Sequence, residues 1–253
     1  MKNLILHIPH SSTFIPFKDG FSPDKSLIQA EILKLTDWYT DDLFSSHQDS
    51  RIVAPFSRVF CDPERFSVDQ QEEMAQYGMG VLYEKTDRGD HLRAVSPELR
   101  ERILDQFYWP HHQRLNEAVK QQLDIDGEAL IVDCHSFSDT PFNRDLNQKP
   151  DRPDFNIGTD PFHTPQRLID ISNEYLQRKG FTVGIDRPYQ GSIVPLEYYH
   201  KNGNVQTIMI EINRKLYLKE NTNVPSERYE AIKAVINEYL ETIKTHLKMQ
   251  KLT

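Results

Sequence analysis

Three apolar runs in this chain end in side chains able to bind a metal or move a proton. Leu4–Ile8 leads into His10-Ser11-Ser12, and Leu130–Val132 leads into Asp133-Cys134-His135-Ser136. The run Thr207–Ile212 carries Glu211 within it and Asn213-Arg214 after it. Ionisable groups at such positions are costly to desolvate unless they bind a cation or one another. Two imidazoles, a carboxylate and an open coordination position make the usual ligand set of catalytic zinc. His10 and His135 are the candidate imidazoles, and Asp37, on a helix after the first run, is the candidate carboxylate. Zinc lowers the pKa of its water to about 7, and a nearby glutamate can take the proton. Glu211 is the candidate base. Asp133 either joins the ligands or orients a ligand histidine as a hydrogen-bond acceptor. The competing reading is that these histidines only cap strand ends through backbone hydrogen bonds.

His7 lies three residues before His10, and in a strand such residues point to opposite faces. It therefore reads as a core histidine, and as a ligand only if the chain bends at Ile8-Pro9. Arg58 and Arg214 each follow an apolar segment, where a guanidinium can hold a substrate carboxylate bidentately. They can equally pair with acids such as Asp62 and Glu211, and both can hold at once. Asp62 and His112 are candidates to support the ligands from behind. Tyr189, in Arg187-Pro188-Tyr189-Gln190-Gly191-Ser192, is placed to touch a substrate from a shaped turn. Cys134 reads as a buried inert thiol, and no Gly-x-Ser-x-Gly elbow supports a serine hydrolase.

Elements that alternate in period must position these groups. Asn3–Ile8, Arg51–Pro55, Val59–Asp62, Gly80–Lys85, Ala129–Cys134, Asp154–Thr159, Phe181–Ile185 and Val205–Ile212 read as strands. Helical spacing covers Pro23–His47 with Ser22 as N-cap, and Pro97–Leu123 with Ser96 as N-cap and Pro97 first in the helix. It also covers Pro165–Lys179, stopped at Gly180, and Pro225–Leu247. Gln70–Asp90 reads as an active-site loop and Thr140–Pro153 as a plain loop. Strands alternating with helices imply an α/β fold: a mostly parallel or mixed central sheet with helices on both faces. Ligands then bind outside the carboxyl ends of the strands.

The chain has 253 residues, 38% of them hydrophobic. That supports one sizeable core, and a single domain over 1–253 is expected. A net charge of −8 without a dense Lys/Arg block argues against nucleic acid or an anionic membrane as partner. Two cysteines are too few for a disulfide framework, which points to a reducing compartment. The apolar start MKNLILHIPH is too short for a signal sequence or a membrane span. A cytoplasmic protein is expected, and the sequence is silent on oligomeric state.

Six segments, in order, carry a resemblance. They are His7-Ile8-Pro9-His10-Ser11-Ser12, Asp37-Trp38-Tyr39-Thr40-Asp41, Arg58-Val59-Phe60-Cys61-Asp62-Pro63, Asp133-Cys134-His135-Ser136, Pro188-Tyr189-Gln190-Gly191 and Glu211-Ile212-Asn213-Arg214-Lys215-Leu216-Tyr217. Together they resemble the N-formylglutamate amidohydrolase family, whose fold is related to the zinc carboxypeptidases. The resemblance implies a three-layer, phosphorylase/hydrolase-like architecture, with His135 as a zinc ligand and Glu211 as the base. It also implies hydrolysis of a formyl or similar amide on an acidic N-acyl amino acid, with arginines on its carboxylates. The chain departs from the family pattern at Ser12, where the family often has Gly. It departs again at Phe60-Cys61, where the family often has Asn-Arg. A zinc carboxypeptidase-like peptidase and a catalytically silent small-carboxylate binder are the alternatives.

Overall fold

The apolar runs do become strands, and their ends converge on one edge of a single sheet. The computed structural model of the chain describes residues 3–46 and 48–249. Its strands are β1 (Ile5–Ile8), β2 (Ser50–Val53), β3 (Ala129–Phe137), β4 (Phe155–Gly158), β5 (Val183–Ile185) and β6 (Val205–Asn213). The sheet order is β2-β1-β3-β6-β4-β5. β2, β1, β3 and β6 run parallel, β4 is antiparallel to β6, and β5 is parallel to β4. The sheet is thus mixed, as the strand–helix alternation allowed. Around it lie α1 (Lys25–Leu35), α2 (Thr40–Leu43), α3 (Pro97–Ile103), α4 (Trp109–Asp126), α5 (Gln166–Arg178) and α6 (Tyr229–Met249).

Alternation along the strands sorts residues to the two faces. Leu4, Leu6, Ile8, Leu130, Val132, Cys134, Ile208, Ile210 and Ile212 pack in one cluster with Leu168 and Leu176 of α5 and Ile232, Ile236 and Leu240 of α6. Ile5, Ala129, Ile131 and Val205 pack on the other face against Leu115 and Val119 of α4. Truncating one such buried Leu or Ile to Ala costs about 2–5 kcal/mol. On the α4 face the pattern changes toward the carboxyl ends. His7, Asp133, His135 and Glu211 continue the same alternation as Ile5, Ile131 and Val205, so polar groups replace apolar ones on that face. Helices on both faces and polar strand ends on one of them are the features that build the site.

Several boundaries differ from the sequence reading. The first helix is capped by Asp24, which accepts from the Ser26 amide, while Ser22 Oγ accepts from the Asp24 amide one step earlier. That helix stops at Leu35 because the Asp37 amide donates to the His10 carbonyl and Tyr39 takes a positive φ of 62°. His47, the last residue of the helix read from sequence, lies outside the described residues, as do Met1 and Lys2. Val59–Asp62 is a turn, since the amides of Phe60 and Cys61 both return to the Ser57 carbonyl. Gly80–Lys85 forms only isolated bridges, Met79 with Tyr83 and Lys85 with His91. The long helix carries a π-helical turn, Leu104–Tyr108, between α3 and α4. Ser96 caps α3 as expected, accepting from the Leu99 amide. No described helix is long and apolar enough to cross a membrane.

Candidate metal centre

β1, β3 and β6 are in register so that His7 lies opposite Asp133 and His135 opposite Glu211. This pairing places one imidazole–carboxylate couple on each strand boundary. His10 sits just beyond β1, where the chain has left the strand, so strand parity no longer separates it from His7. Asp37 is brought over by the amide-to-carbonyl bond to His10 that ends α1. The result is a buried cluster in which His10, Asp37 and His135 each offer one ligand atom within 4.8 Å of the others. The three residues selected from the sequence as ligands do meet.

The hydrogen bonds around them assign a direction to each ring. His10 Nε2 lies 2.8 Å from Asp62 Oδ1. Its Nδ1 is buried without a hydrogen-bond partner among the described residues, 3.7 Å from both Asp37 Oδ2 and Glu64 Oε2. His135 Nδ1 is 3.0 Å from Asp37 Oδ2, and its Nε2 is 3.1 Å from Asp133 Oδ1 and from Glu64 Oε2. Asp37 also accepts from Arg214 Nη2 at 2.9 Å and from the Ser136 amide at 3.3 Å. Asp133 is fixed from the other side by the Ile193 amide at 3.0 Å. An unpaired imidazole nitrogen amid carboxylates, with the other nitrogen tied to an acid, is the arrangement a metal-binding histidine adopts.

His7 is buried with both ring nitrogens engaged, Nδ1 with Asp133 at 2.8 Å and Nε2 with His111 at 2.9 Å. It also reaches Glu64 at 3.5 Å, and His7, Glu64 and Asp133 form a second group with metal-ligand spacing. Glu64 was not singled out from the sequence. It stands in the turn Asp62-Pro63-Glu64, which has no periodicity to read, and its one signal was a second acid beside Asp62. His112 does not reach the cluster. It hydrogen-bonds the Pro63 carbonyl at 2.8 Å, steadying the segment that presents Glu64. His111 is buried and His112 partly buried.

The two arginines are held by acids. Arg58 donates to Asp62 Oδ2 at 2.9 Å and to Tyr83 at 3.2 Å. Arg214 donates to Asp37, to Ser136 and to the Lys34 carbonyl. Arg214 therefore pairs with Asp37 rather than with Glu211. Tyr189 hydrogen-bonds Asp145 at 3.1 Å and accepts from Arg152, and its ring stands edge-on to Phe137 at the end of β3.

Protonation follows from burial and these partners. Burial opposes ionisation of Asp62, but Arg58 and His10 outweigh it and hold the carboxyl well below the usual range. Asp37 and Glu64 are likewise held low, against burial, by the surrounding histidines and, for Asp37, by Arg214. Burial opposes the charge on His135, but Glu64 and Asp133 raise its pKa well above the ordinary value. His7 is pushed up to about 9 by Asp133 and Glu64 in spite of burial. Glu211 goes the other way for a carboxyl. Burial, aided by Asp37, pushes it up to about 8 although His135 and Arg214 oppose. Its Oε2 is buried without a partner among the described residues. Acid/base assignments come from such separated environments. Cys134 is an inert thiol, pushed far up by burial.

Known proteins match this architecture over most of its length. Residues 2–218 match the family described as N-formylglutamate amidohydrolase. The N-formylglutamate deformylase of Pseudomonas putida is 26% identical over 234 residues, covering 86% of this chain and 82% of that protein. The crystal structure of the N-formylglutamate amidohydrolase of Ralstonia eutropha JMP134 superposes with a TM-score of 0.83 at 24% identity, over 98% of this chain and 94% of that one. A gene product of Agrobacterium tumefaciens follows at 0.66 and 17%, over 96% and 90%. At those identities the two crystal structures establish a shared fold.

Proposed function

The chain belongs to the N-formylglutamate amidohydrolase family, hydrolases of linear amides, and from that premise we propose that it cleaves the amide bond of an acidic N-acyl amino acid such as N-formylglutamate. A divalent cation, zinc by the nature of the donors, is held by His10, Asp37 and His135. The observation that carries this assignment is the convergence of their donor atoms, together with the unpartnered Nδ1 of His10. When bound, such an ion supplies Lewis acidity to a carbonyl and to water.

The protein's own groups do the rest. Asp62 keeps the hydrogen of His10 on Nε2, leaving Nδ1 as a donor atom. Asp133 does the same for His135 at its Nε2, so that Nδ1 faces Asp37. Glu211 Oε2 takes a proton from the attacking water and returns it to the departing amine nitrogen. Arg58 and Arg214 attract the substrate carboxylate; side-chain exposures of 17% and 12% leave each a wet side, while the acid behind each fixes its position. Tyr189 offers a substrate contact from the 186–193 turn.

Glu64 is a rival to Asp37 as carboxylate ligand, because its Oε2 approaches His10 Nδ1 and His135 Nε2 together. In that arrangement Asp37 becomes the acceptor that orients His135. Zinc affinity of D37N and E64Q separates the two, since loss of the ligand releases the ion and loss of the orienting acceptor only weakens it.

The function is tested with a panel of N-acyl amino acids and short peptides, assayed with and without added zinc. Zinc-dependent release of formate from N-formylglutamate is expected. Cleavage of peptides alone would make the protein a carboxypeptidase-like enzyme. Zinc binding without turnover of any amide would make it a small-carboxylate binder.

A further inference from the structure

Behind the cluster runs a line of buried hydrogen bonds that the reaction does not use directly. His111 Nε2 meets His7 Nε2 at 2.9 Å, His7 Nδ1 meets Asp133 Oδ1 at 2.8 Å, and the same Oδ1 meets His135 Nε2 at 3.1 Å. His7 and Asp133 are 0% and 1% exposed and His111 is 3% exposed. His111 is the only member of this line that comes from a helix.

Helix geometry shows what brings it there. Buried positions along the long helix are Ile103, Tyr108, His111, Leu115, Val119 and Gln122. Every step is three or four residues except Ile103 to Tyr108, which is five. That step coincides with the π-turn, where the Trp109 amide donates to the Leu104 carbonyl five residues back. Two α-helical turns cover about seven residues, so an uninterrupted helix would bring Pro110 over Ile103 and turn His111 by about 100° from where it stands. With the extra residue His111 takes that place and Pro110 is exposed. Single π-turns inside α-helices recur at functional sites for this reason.

We infer that His111 is a positioning residue. Through the ring of His7 it fixes the Asp133 carboxylate, and so the orientation of His135 toward its cation. This rests on the metal-centre reading above. The alternative is that His111 merely fills space beside Phe56, whose ring lies edge-on to it at 6.4 Å. The two differ in what a ring of similar size without nitrogen would do. H111F keeps the packing and loses the bond to His7. H111Q places a side-chain amide near the position of Nε2, and its oxygen can accept from His7 Nε2 and keep the bond.

The test uses the full chain. In metal-free protein the ring 15N resonances of His7 and His135 are recorded for the parent, H111F and H111Q, and zinc affinity is then measured by chelator competition. Shifted His7 and His135 signals in H111F, near-parent signals in H111Q, and zinc affinity lowered about tenfold in H111F but less than about threefold in H111Q are expected, on the scale usual for groups behind a metal ligand. Parent-like ring signals and affinity in H111F, or equal losses in both variants, would overturn the inference. The unsubstituted protein gives a check that needs no variant to fold: a 15N–15N coupling across the His7–His111 hydrogen bond is expected, and its absence overturns the relay. These ring signals do not depend on zinc, so a chain that binds no zinc yet shows them refutes the metal-centre reading and leaves the relay in place.

Discussion

His10 turns its two ring nitrogens to opposite purposes: Nε2 is 2.8 Å from Asp62 Oδ1, and Nδ1, equally buried, has no partner among the described residues. A neutral imidazole donates through one nitrogen and accepts through the other. Asp62 therefore determines which atom of His10 is left to bind a cation. Asp62 is itself anchored by Arg58 and by Tyr83, whose hydroxyl donates at 2.7 Å.

Removing that acceptor has a measurable consequence. D62N should lower zinc affinity about 10- to 100-fold, the usual range for a group that orients a metal ligand. It should also lower stability, because Arg58 is left without its buried counter-charge. Equilibrium dialysis with elemental analysis reads the first effect. Unchanged zinc occupancy in D62N would remove Asp62 from the orienting role.

Substitution of the base separates binding from turnover. E211Q should hold zinc near the parent level and lose about 10²–10⁴-fold in kcat, the usual contribution of general acid–base catalysis. Parent-like turnover in E211Q would show that another group moves the proton.

The rate–pH profile follows from the same residue. Glu211 is pushed up to about 8 by burial, and a base works only as the carboxylate. Activity should therefore rise with pH through an acid limb. A bound cation favours the ionised form, so the limb in zinc-loaded protein should lie below 8. A limb above 8 in kcat/KM would contradict this.

Stability of the metal-free chain should show the opposite sign. A carboxyl whose folded pKa exceeds its unfolded value near 4.5 binds more protons in the folded state between 4.5 and about 8, so stability falls as pH rises across that window. His7, raised from 6.5 to about 9, contributes stability fully present below 6.5 and lost as pH rises through 9. Asp37, Asp62 and Glu64 are held low and act at the acid end, where their contribution is lost as pH falls below the usual carboxylate range. His111 and His112, pushed down by burial to about 2 and about 4, have the opposite sign below the ordinary imidazole value of 6.5. Thermal melts of metal-free protein should therefore decline from pH 6.5 to 9, and less steeply in E211Q. Equal slopes for both would place the coupling elsewhere.

Away from the site, Asp87 ties three segments together. Its carboxylate accepts from Lys34 of α1 at 2.8 Å, from Asn143 at 3.0 Å and from the Arg144 amide at 2.9 Å, and those bonds hold its pKa down against burial. D87N should destabilise by about 1–3 kcal/mol with zinc binding unchanged, as denaturant unfolding and dialysis would show. Loss of zinc in D87N would mean that the 140–147 loop supports the metal site.

How much of this could be read from residues alone depends on periodicity. Ala129–Cys134 and Val205–Ile212 are apolar runs whose polar ends had to lie at the edge of a sheet, so His135 and Glu211 were legible, and β3 and β6 place them opposite each other. Asp37 was read as a candidate on the helix after the first strand, although that stretch also carries Glu31, Asp41 and Asp42 and the helix ends before Asp37. Glu64 was not, because a turn has no repeat to interrupt. Val59–Asp62 has strand-forming residues, yet two amides returning to Ser57 make it a turn. His111 was not legible as a partner of His7, because a π-turn adds a residue that no 3.6-residue count anticipates.

The most direct measurement is turnover of N-formylglutamate by protein stripped with a chelator and then titrated with zinc. Stripped protein should be inactive, recover with about one equivalent of zinc, and fail to recover when His135 is replaced by Ala. Full turnover by protein shown by elemental analysis to carry no metal would contradict the metal centre proposed for His10, Asp37 and His135.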